Sequence, residues 1–504
     1  LSERSGWRHA YRAFVDGSPL EPITKGEFDV TAVDAVDKAG GRLYYTASPK
    51  NPTQRYLFRV KLDGTGTEQL SPEKQVGWHE YDISPDAQWA VHTRSSFTAP
   101  PVVELVQLKD HAAVRTLADN AKLREKLAGL KRPDVEFFRV PIGKDLALDG
   151  WRIKPPAAEP GTKLPLLMHV YGEPHGQTVK DMWPGPRGLW HWMLAQQGFV
   201  VASVDNRGTN VPRGREWRKS VHRKIGIIAP TEQAAAVREL LKRWPFVDPA
   251  RVGSWGWSGG GSMSLNALFR HPDLYRTAVA LAPVPDQTLY NTIYQERYMG
   301  LPSDNAAGFR DGSPITHAAK MRGNLLLIHG TGDDNCHYQG VERLMEELIA
   351  AGKRFTVLPY PNRTHAIKEG RNTDQHLYET MARFLHDNLK APTAPAPEPV
   401  YETRAVRGWT VHVNRVLLAT DAADTAKALA LFDKQLEDIA KVLPKAGVAK
   451  LQQVPVYFNP EYPGAKPVAE YHPGADWLRK VGRDPAMAKA VEVSNVRTYP
   501  AEVN

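Results

Sequence analysis

The stretch Arg251-Val-Gly-Ser-Trp-Gly-Trp-Ser-Gly-Gly-Gly261 carries an apolar run into a sharp glycine-rich turn, and the segment after it, 262–270, reads as a helix. Gly256 and Gly260 flank Ser258 in the order G-x-S-x-G, the spacing of a nucleophile elbow. Small neighbours let a strained strand-to-helix turn lift a hydroxyl clear of a sheet, and the helix that follows adds free N–H groups and its N-terminal dipole beneath the site. Ser258 is therefore the candidate nucleophile. Plain glycine-rich turns share this spacing, so the context has to come from elsewhere in the chain.

Two later stretches supply it. Asn324-Leu-Leu-Leu-Ile-His-Gly330 reads as a buried parallel strand that runs into a polar loop, Thr331-Gly-Asp-Asp-Asn335. Residues 354–361 read as another strand, followed by Asn362-Arg-Thr-His365 and a helical stretch at 374–389. Ser258, Asp333 and His365 each fall on a loop after a strand, in the chain order of the α/β-hydrolase triad. A serine hydroxyl is a weak nucleophile at neutral pH, so an imidazole must take its proton and return it to the leaving group. His365 is the candidate base. A buried carboxylate has to hold that imidazole in one tautomer, and Asp333 is preferred to Asp334 for the task.

Composition bounds the alternatives. The 504 residues exceed one ordinary core and predict about three domains. Hydrophobic content of 42% with 24% charged is globular, and no apolar run reaches the length of a membrane span. The single cysteine, Cys336, excludes an internal disulfide framework and leaves the compartment open, with a periplasmic or secreted placement ahead of a cytoplasmic one. A net charge of +9 invites a nucleic-acid reading, and Arg213, Arg215, Arg218, Lys219, Arg223 and Lys224 form a basic run. That run has no interleaved stacking aromatics in a recognised RNA or DNA motif, so it reads as a solvated or acid-paired face, and no nucleic-acid partner is expected. The chain opens at Leu1 with neither a methionine nor a signal-like apolar core, which reads as a piece of something longer.

The rhythm of the chain divides it. Residues 1–122 show strands at 41–46, 55–62 and 89–95, parted by Asp63-Gly-Thr-Gly66 and Ser84-Pro-Asp86. These hairpins suit the C-terminal blades of a β-propeller, with a plain sandwich as the alternative. Residues 123–390 alternate strands (135–140, 146–153, 164–171, 199–204, 251–255, 277–281, 324–329 and 354–358) with helices such as 231–243 and 340–351. Such alternation predicts an α/β fold with a doubly wound, mostly parallel sheet. Residues 391–400 are a proline-rich linker. Residues 401–504 read as a small α+β segment with a strand at 409–418, a helix at 424–442, a strand at 454–458 and loop-rich sequence after it. It has no H-E-x-x-H and no Cys/His cluster, so no metal and no cofactor are expected.

Residues 1–390 resemble the prolyl oligopeptidase clan and, within it, the dipeptidyl peptidase IV branch. Gly256-Trp-Ser-Gly-Gly260 looks like the serine motif, and His329-Gly-Thr-Gly-Asp-Asp-Asn335 and Thr364-His365 look like the acid and histidine motifs. Glu296-Arg-Tyr-Met-Gly-Leu-Pro302 is similar to a further stretch of that branch. Tyr171-Gly-Glu-Pro174 stands where a Tyr-x-x-Pro motif would be, which implies Tyr171 as an oxyanion-hole donor beside the backbone N–H of Gly259. The resemblance also implies a substrate pocket with Tyr290 and Tyr294, four apart on one helix face, together with Val284 and Asn335, which would meet the substrate backbone. Cys336 falls at a pocket-lining position.

Two departures bear on the reading. Gly259 stands where the family commonly has tyrosine, so one pocket wall is missing or replaced and the proline preference is loosened. The acidic residues that bind the substrate amine in the family would precede Leu1. Residues 401–504 resemble the leading part of a zinc peptidase-like domain whose histidine motif would follow Asn504, so the chain reads as cut at both ends. The resemblance implies a serine exopeptidase that releases N-terminal dipeptides, X-Pro or X-Ala, from oligopeptides through an acyl-enzyme on Ser258. An acylaminoacyl or oligo-endopeptidase on the same fold is one alternative. A catalytically inactive binding or scaffolding protein is another, against which the complete triad argues. The expected partner is a peptide substrate, with a homodimer left open.

Overall fold

Residues 164–169, 200–204, 277–281 and 324–330 are short apolar runs without polar alternation, which suits strands covered on both faces. The computed structural model describes residues 1–156, 161–389, 401–462, 469–480 and 483–499, and it joins these runs in one eight-stranded sheet. Its strands are β1 (Asp134–Pro141), β2 (Ala147–Lys154), β3 (Leu164–His169), β4 (Val200–Val204), β5 (Val247–Trp257), β6 (Thr277–Leu281), β7 (Asn324–Gly330) and β8 (Thr356–Tyr360). The spatial order is β1-β2-β4-β3-β5-β6-β7-β8. The β1-β2 and β2-β4 pairs are antiparallel and the others parallel.

Side-chain alternation along the strands sorts the core into two layers. Leu166, Met168, Ala278, Ala280, Leu325 and Leu327 pack on one side against α2 (Ile228–Arg243), α3 (Gly259–Arg270) and α5 (Tyr338–Ala350). Leu167, Val279, Leu281, Leu326 and Ile328 pack on the other against α1 (Gly185–Gln196) and α6 (Thr373–Leu389). Fully burying one such side chain is worth about 1.5–3 kcal/mol, so the double-sided packing is the main stabilising term. A further helix, α4 (Thr292–Met299), lies between β6 and β7 in sequence. No helix among the described residues is long and apolar enough to cross a membrane.

Upstream of this sheet lie two four-stranded antiparallel meanders. One runs through Val30–Asp37, Arg42–Ala47, Tyr56–Lys61 and Glu68–Gln69, the other through Trp78–Ile83, Trp89–Ser96, Ala99–Gln107 and Ala112–Ala118. Four consecutive strands per sheet is the blade pattern of a propeller. Two strands of the second blade are poorly marked in the sequence. Pro100 and Pro101 obscure one, and the other, Ala112–Ala118, is exposed along its whole length. The basic run is acid-paired at two of its arginines. Arg213 Nη2 lies 2.6 Å from Asp149 Oδ2, and Arg218 reaches Asp29 at 2.6 and 3.1 Å.

The chain divides into two compact units, Leu1–Ala391 and Pro392–Asn504. The proline-rich run at 391–400 lies outside the described residues. The second unit holds a five-stranded sheet in the order Tyr401–Val406, Trp409–Asn414, Val456–Phe458, Ala490–Val493, Ala469–His472, with the helix Ala422–Val442. The strand expected at 409–418 ends early because the Asn414 side chain accepts the Val416 N–H and caps a helix, Arg415–Thr420. The region read as loop-rich after Phe458 contains two of the sheet's strands and the helix Ala475–Lys480. Pro-Gly pairs at 463–464 and 473–474 flank the first of those strands and mask it in the sequence.

Asp29 is the buried joint between the first unit's blades and its α/β part. It is 1% exposed, accepts backbone N–H bonds from Arg8 (2.7 Å) and Gly214 (2.8 Å), and forks with Arg218. Burial opposes its ionisation, but these donors outweigh burial and hold its pKa below the ordinary carboxylate value. Its contribution is therefore present above about pH 4 and lost as pH falls further. Asp29→Ala, which leaves Arg218 unpaired, should cost about 3 kcal/mol in urea unfolding at pH 7. Glu3→Gln, which removes a more exposed contact of the same arginine, should cost under about 1 kcal/mol.

Candidate active site

Ser258 lies at the end of β5, where the chain turns at once into α3. Its φ of 59° and ψ of −123° fall outside the helix and strand regions, a strained conformation worth roughly 1–3 kcal/mol. Close backbone approach explains the glycines around it. A Cβ on Gly256 would sit 2.4 Å from the Gly260 carbonyl, and one on Gly260 would sit 2.2 Å from Val170 O. The Ser258 N–H is tied to Leu281 O at 2.8 Å.

Asp333 and His365 come from the loops after β7 and β8, which are stitched together. Gly332 N–H donates to Arg363 O at 3.1 Å and Asn362 N–H to Thr331 Oγ1 at 2.9 Å. His365 Nδ1 donates to Asp333 Oδ2 at 2.7 Å, which leaves Nε2 as the proton acceptor. Asp333 Oδ1 accepts the N–H groups of Asn335 (3.0 Å) and Cys336 (2.8 Å), and His329 Nε2 lies 3.2 Å from Oδ2. Burial alone would push this carboxyl's pKa up. Hydrogen bonds from His329, His365 and Cys336 outweigh that and hold it well below the usual range. Asp334 is exposed on the same loop.

Ser258 and His365 line one cleft of about 530 Å³ together with Tyr171, Gly259, Val284, Tyr290, Tyr294 and Asn335. All the residues expected in the site are thus brought together, with Asp333 behind His365. Gly259 opens α3, so its N–H has no intrahelical partner and is free to serve a ligand. Burial and the neighbouring Glu173 push the Tyr171 phenol above its ordinary pKa, so it remains a donor.

Comparisons with known proteins match two parts of the first unit. Residues 190–392 match the model of the prolyl oligopeptidase family, and residues 1–101 match that of the dipeptidyl peptidase IV N-terminal region. The chain belongs to the prolyl oligopeptidase family. Its relatives place it in the dipeptidyl peptidase IV branch. Dipeptidyl peptidase 4 of Arthroderma otae is 29% identical over 436 residues, which cover 84% of this chain and 54% of that protein. The crystal structure of Porphyromonas gingivalis dipeptidyl peptidase 4 is 36% identical with a TM-score of 0.73, covering 77% of this chain and 54% of that one. The chain spans about half the length of the curated relatives it matches.

Within this family member the pocket departs from expectation at Tyr290, and beside Gly259 it holds a replaced wall. Tyr290 is not on α4 with Tyr294. It sits in extended backbone ahead of that helix, because Asn291 caps α4 by accepting the Tyr294 N–H. The two rings still meet edge to face at 5.2 Å, and the Tyr290 hydroxyl donates to Asn335 Oδ1 at 3.1 Å. The space beside Gly259 is filled, not vacant. The Glu173 carboxyl occupies it, 2.6 Å from where a Cβ on Gly259 would be, and Tyr294 donates to its Oε2 at 2.5 Å.

Glu173 and His329 escape a reading of motifs. Each sits inside a quoted motif without a role, and the available signal was an ionisable residue within an otherwise apolar or small-residue run. The Cys336 thiol lies beside the Ser258 hydroxyl and is pushed far above its usual pKa by burial and by Asp333, so it stays an uncharged wall.

Burial pushes the Glu173 carboxyl from an ordinary value of 4.5 up to about 7, only partly offset by the Tyr294 hydrogen bond. An acid raised on folding carries no penalty below about pH 4.5. The penalty grows as pH approaches 7 and is then constant, at roughly 3 kcal/mol. Glu173→Gln should therefore raise the unfolding midpoint at pH 8 and leave it unchanged at pH 4. Equal gains at both pH values would contradict the ionisation account.

Proposed function

We propose that this chain carries the catalytic apparatus of a serine peptidase that releases N-terminal dipeptides from oligopeptides, with proline or alanine in the second position. Residues 123–390 would be the catalytic domain, residues 1–122 the propeller blades, and residues 401–504 a separate C-terminal segment. Assembly as a homodimer belongs to the same proposal and is read by light scattering. The observation that carries the reading is the 2.7 Å hydrogen bond from His365 to buried Asp333, in a cleft that the strained Ser258 also lines. The names of the relatives support the substrate class.

In this reading His365 Nε2 takes the Ser258 proton as Oγ attacks the carbonyl of the second residue. Asp333 stabilises the imidazolium that forms. The Tyr171 hydroxyl and the Gly259 N–H face the oxyanion, and the protonated imidazole hands its proton to the leaving amine. Water then repeats the sequence on the acyl-enzyme and frees the dipeptide.

A fluorophosphonate probe should label the chain at Ser258, with labelling lost in Ser258→Ala and His365→Ala. Undiminished labelling of Ser258→Ala would overturn the assignment. Asp333→Asn should lower kcat by about 10⁴, since the histidine loses its orienting acceptor, whereas Asp334→Asn should change it little. Tyr171→Phe should lower kcat by roughly 10² to 10³ with KM nearly constant, because the donor acts only as charge develops.

A further inference from the structure

Glu173 is a carboxyl that the triad does not use, placed where the acylating residue of a substrate must pass. It is 7% exposed and lines the cleft with Ser258, Gly259 and Tyr294. Its Oε2 is taken by the Tyr294 hydroxyl, while Oε1 receives no hydrogen bond from any described residue and is not among the sealed polar atoms. No cation among the described residues compensates it. Arg297 lines the same cleft yet forms no ion pair with this carboxylate. The carboxyl is thus held among aromatic rings with one oxygen open to the cleft, where a donor on a bound substrate can reach it.

The position is held on both sides. The carboxyl cannot move toward α3 without meeting Gly259, and Gly259 can bear no side chain while the carboxyl is there, since its Cβ would lie 2.7 Å from Oε2. On the other side the Tyr294 ring is braced between those of Tyr290, Tyr298 and His175, at 5.2, 4.8 and 5.5 Å. The free oxygen is therefore a fixed acceptor beside the residue that follows the nucleophile.

We propose that Glu173 determines specificity at this site, its Oε1 accepting a hydrogen bond from the side chain of the residue that acylates Ser258. Substrates whose residue there ends in O–H or N–H are favoured over apolar isosteres, because only they replace the partner that Oε1 loses when the substrate closes the cleft over it. The inference rests on the serine-peptidase reading and sharpens it. Alanine and proline fit the pocket, and a small hydroxyl-bearing residue fits it better.

The test compares kcat/KM for dipeptidyl amidocoumarins with serine against 2-aminobutyrate at the acylating position, and with lysine against norleucine. Wild type should favour the donor-bearing member of at least one pair by about tenfold, the serine pair identifying a hydroxyl and the lysine pair an ammonium group as the donor. Glu173→Leu should abolish or invert that ratio, and Gly259→Ala, which displaces the carboxyl, should shrink it. Each ratio is taken within one protein sample, so incomplete folding of a variant does not blur it. Absence of both preferences in wild type, or persistence of the observed one in Glu173→Leu, would overturn the inference. Fluorophosphonate labelling of wild type separates the cases. Labelling with no preference removes Glu173 alone, and absence of labelling removes the serine-peptidase reading beneath it.

Discussion

The cleft depends on a close approach of backbones around Ser258. Val170 leaves β3, Leu281 ends β6, and α3 begins between them with so little room that Gly256, Gly260 and Gly261 would each place a Cβ within 2.5 Å of a neighbouring backbone atom. This crowding holds Ser258 at a positive φ and points the N–H of Gly259 out of the helix start. The candidate nucleophile and one candidate oxyanion donor are thus set by the same contact. The strain costs roughly 1–3 kcal/mol, which the apolar layers on both sides of the sheet easily offset, and the serine needs no movement of its own to be presented.

Two carboxyls flank this serine and meet opposite fates. Asp333 is buried with two backbone N–H groups, His329 and His365 converging on it, and it stays ionised. Glu173 is buried with a single phenol, and its pKa rises to about 7. Fewer donors and denser surroundings at Glu173 together separate them. The separation matters for the proposed mechanism, in which negative charge develops on an oxyanion held by Gly259 and Tyr171. A charge at Asp333 is screened by the imidazolium it stabilises, whereas a charge at Glu173 would face the Gly259 N–H and the Tyr171 phenol directly and oppose that development.

The parts legible in the sequence are those fixed by short-range rules. Apolar runs covered on both faces announce parallel strands, and the loops after them carry Ser258, Asp333 and His365 in order. What escapes is set by tertiary neighbours. Tyr290 and Tyr294 are four apart, but an asparagine cap between them starts the helix two residues too late for Tyr290. The edge strand Ala112–Ala118 has no buried face to give it a period. Glu173 reads as a loop residue until Gly259, 86 positions later, is seen to make room for it.

The described lining of the cleft comes wholly from residues 171–365, yet the blades still bear on it mechanically. Tyr171 and Glu173 ride on the loop between β3 and α1, and the far end of that loop is pinned by the N-terminal sheets. Gln177 exchanges hydrogen bonds with Pro52 O and Arg55, at 2.9 and 2.7 Å. Asp181 donates its N–H to Thr53 O at 2.8 Å, while its carboxylate accepts from Gln54 (2.9 Å) and the Phe97 N–H (3.0 Å). A loop anchored at one end to β3 and at the other to a separate sheet has little freedom between. Tyr171 and the cleft carboxyl are therefore positioned by two parts of the chain at once, while the candidate triad is positioned by one.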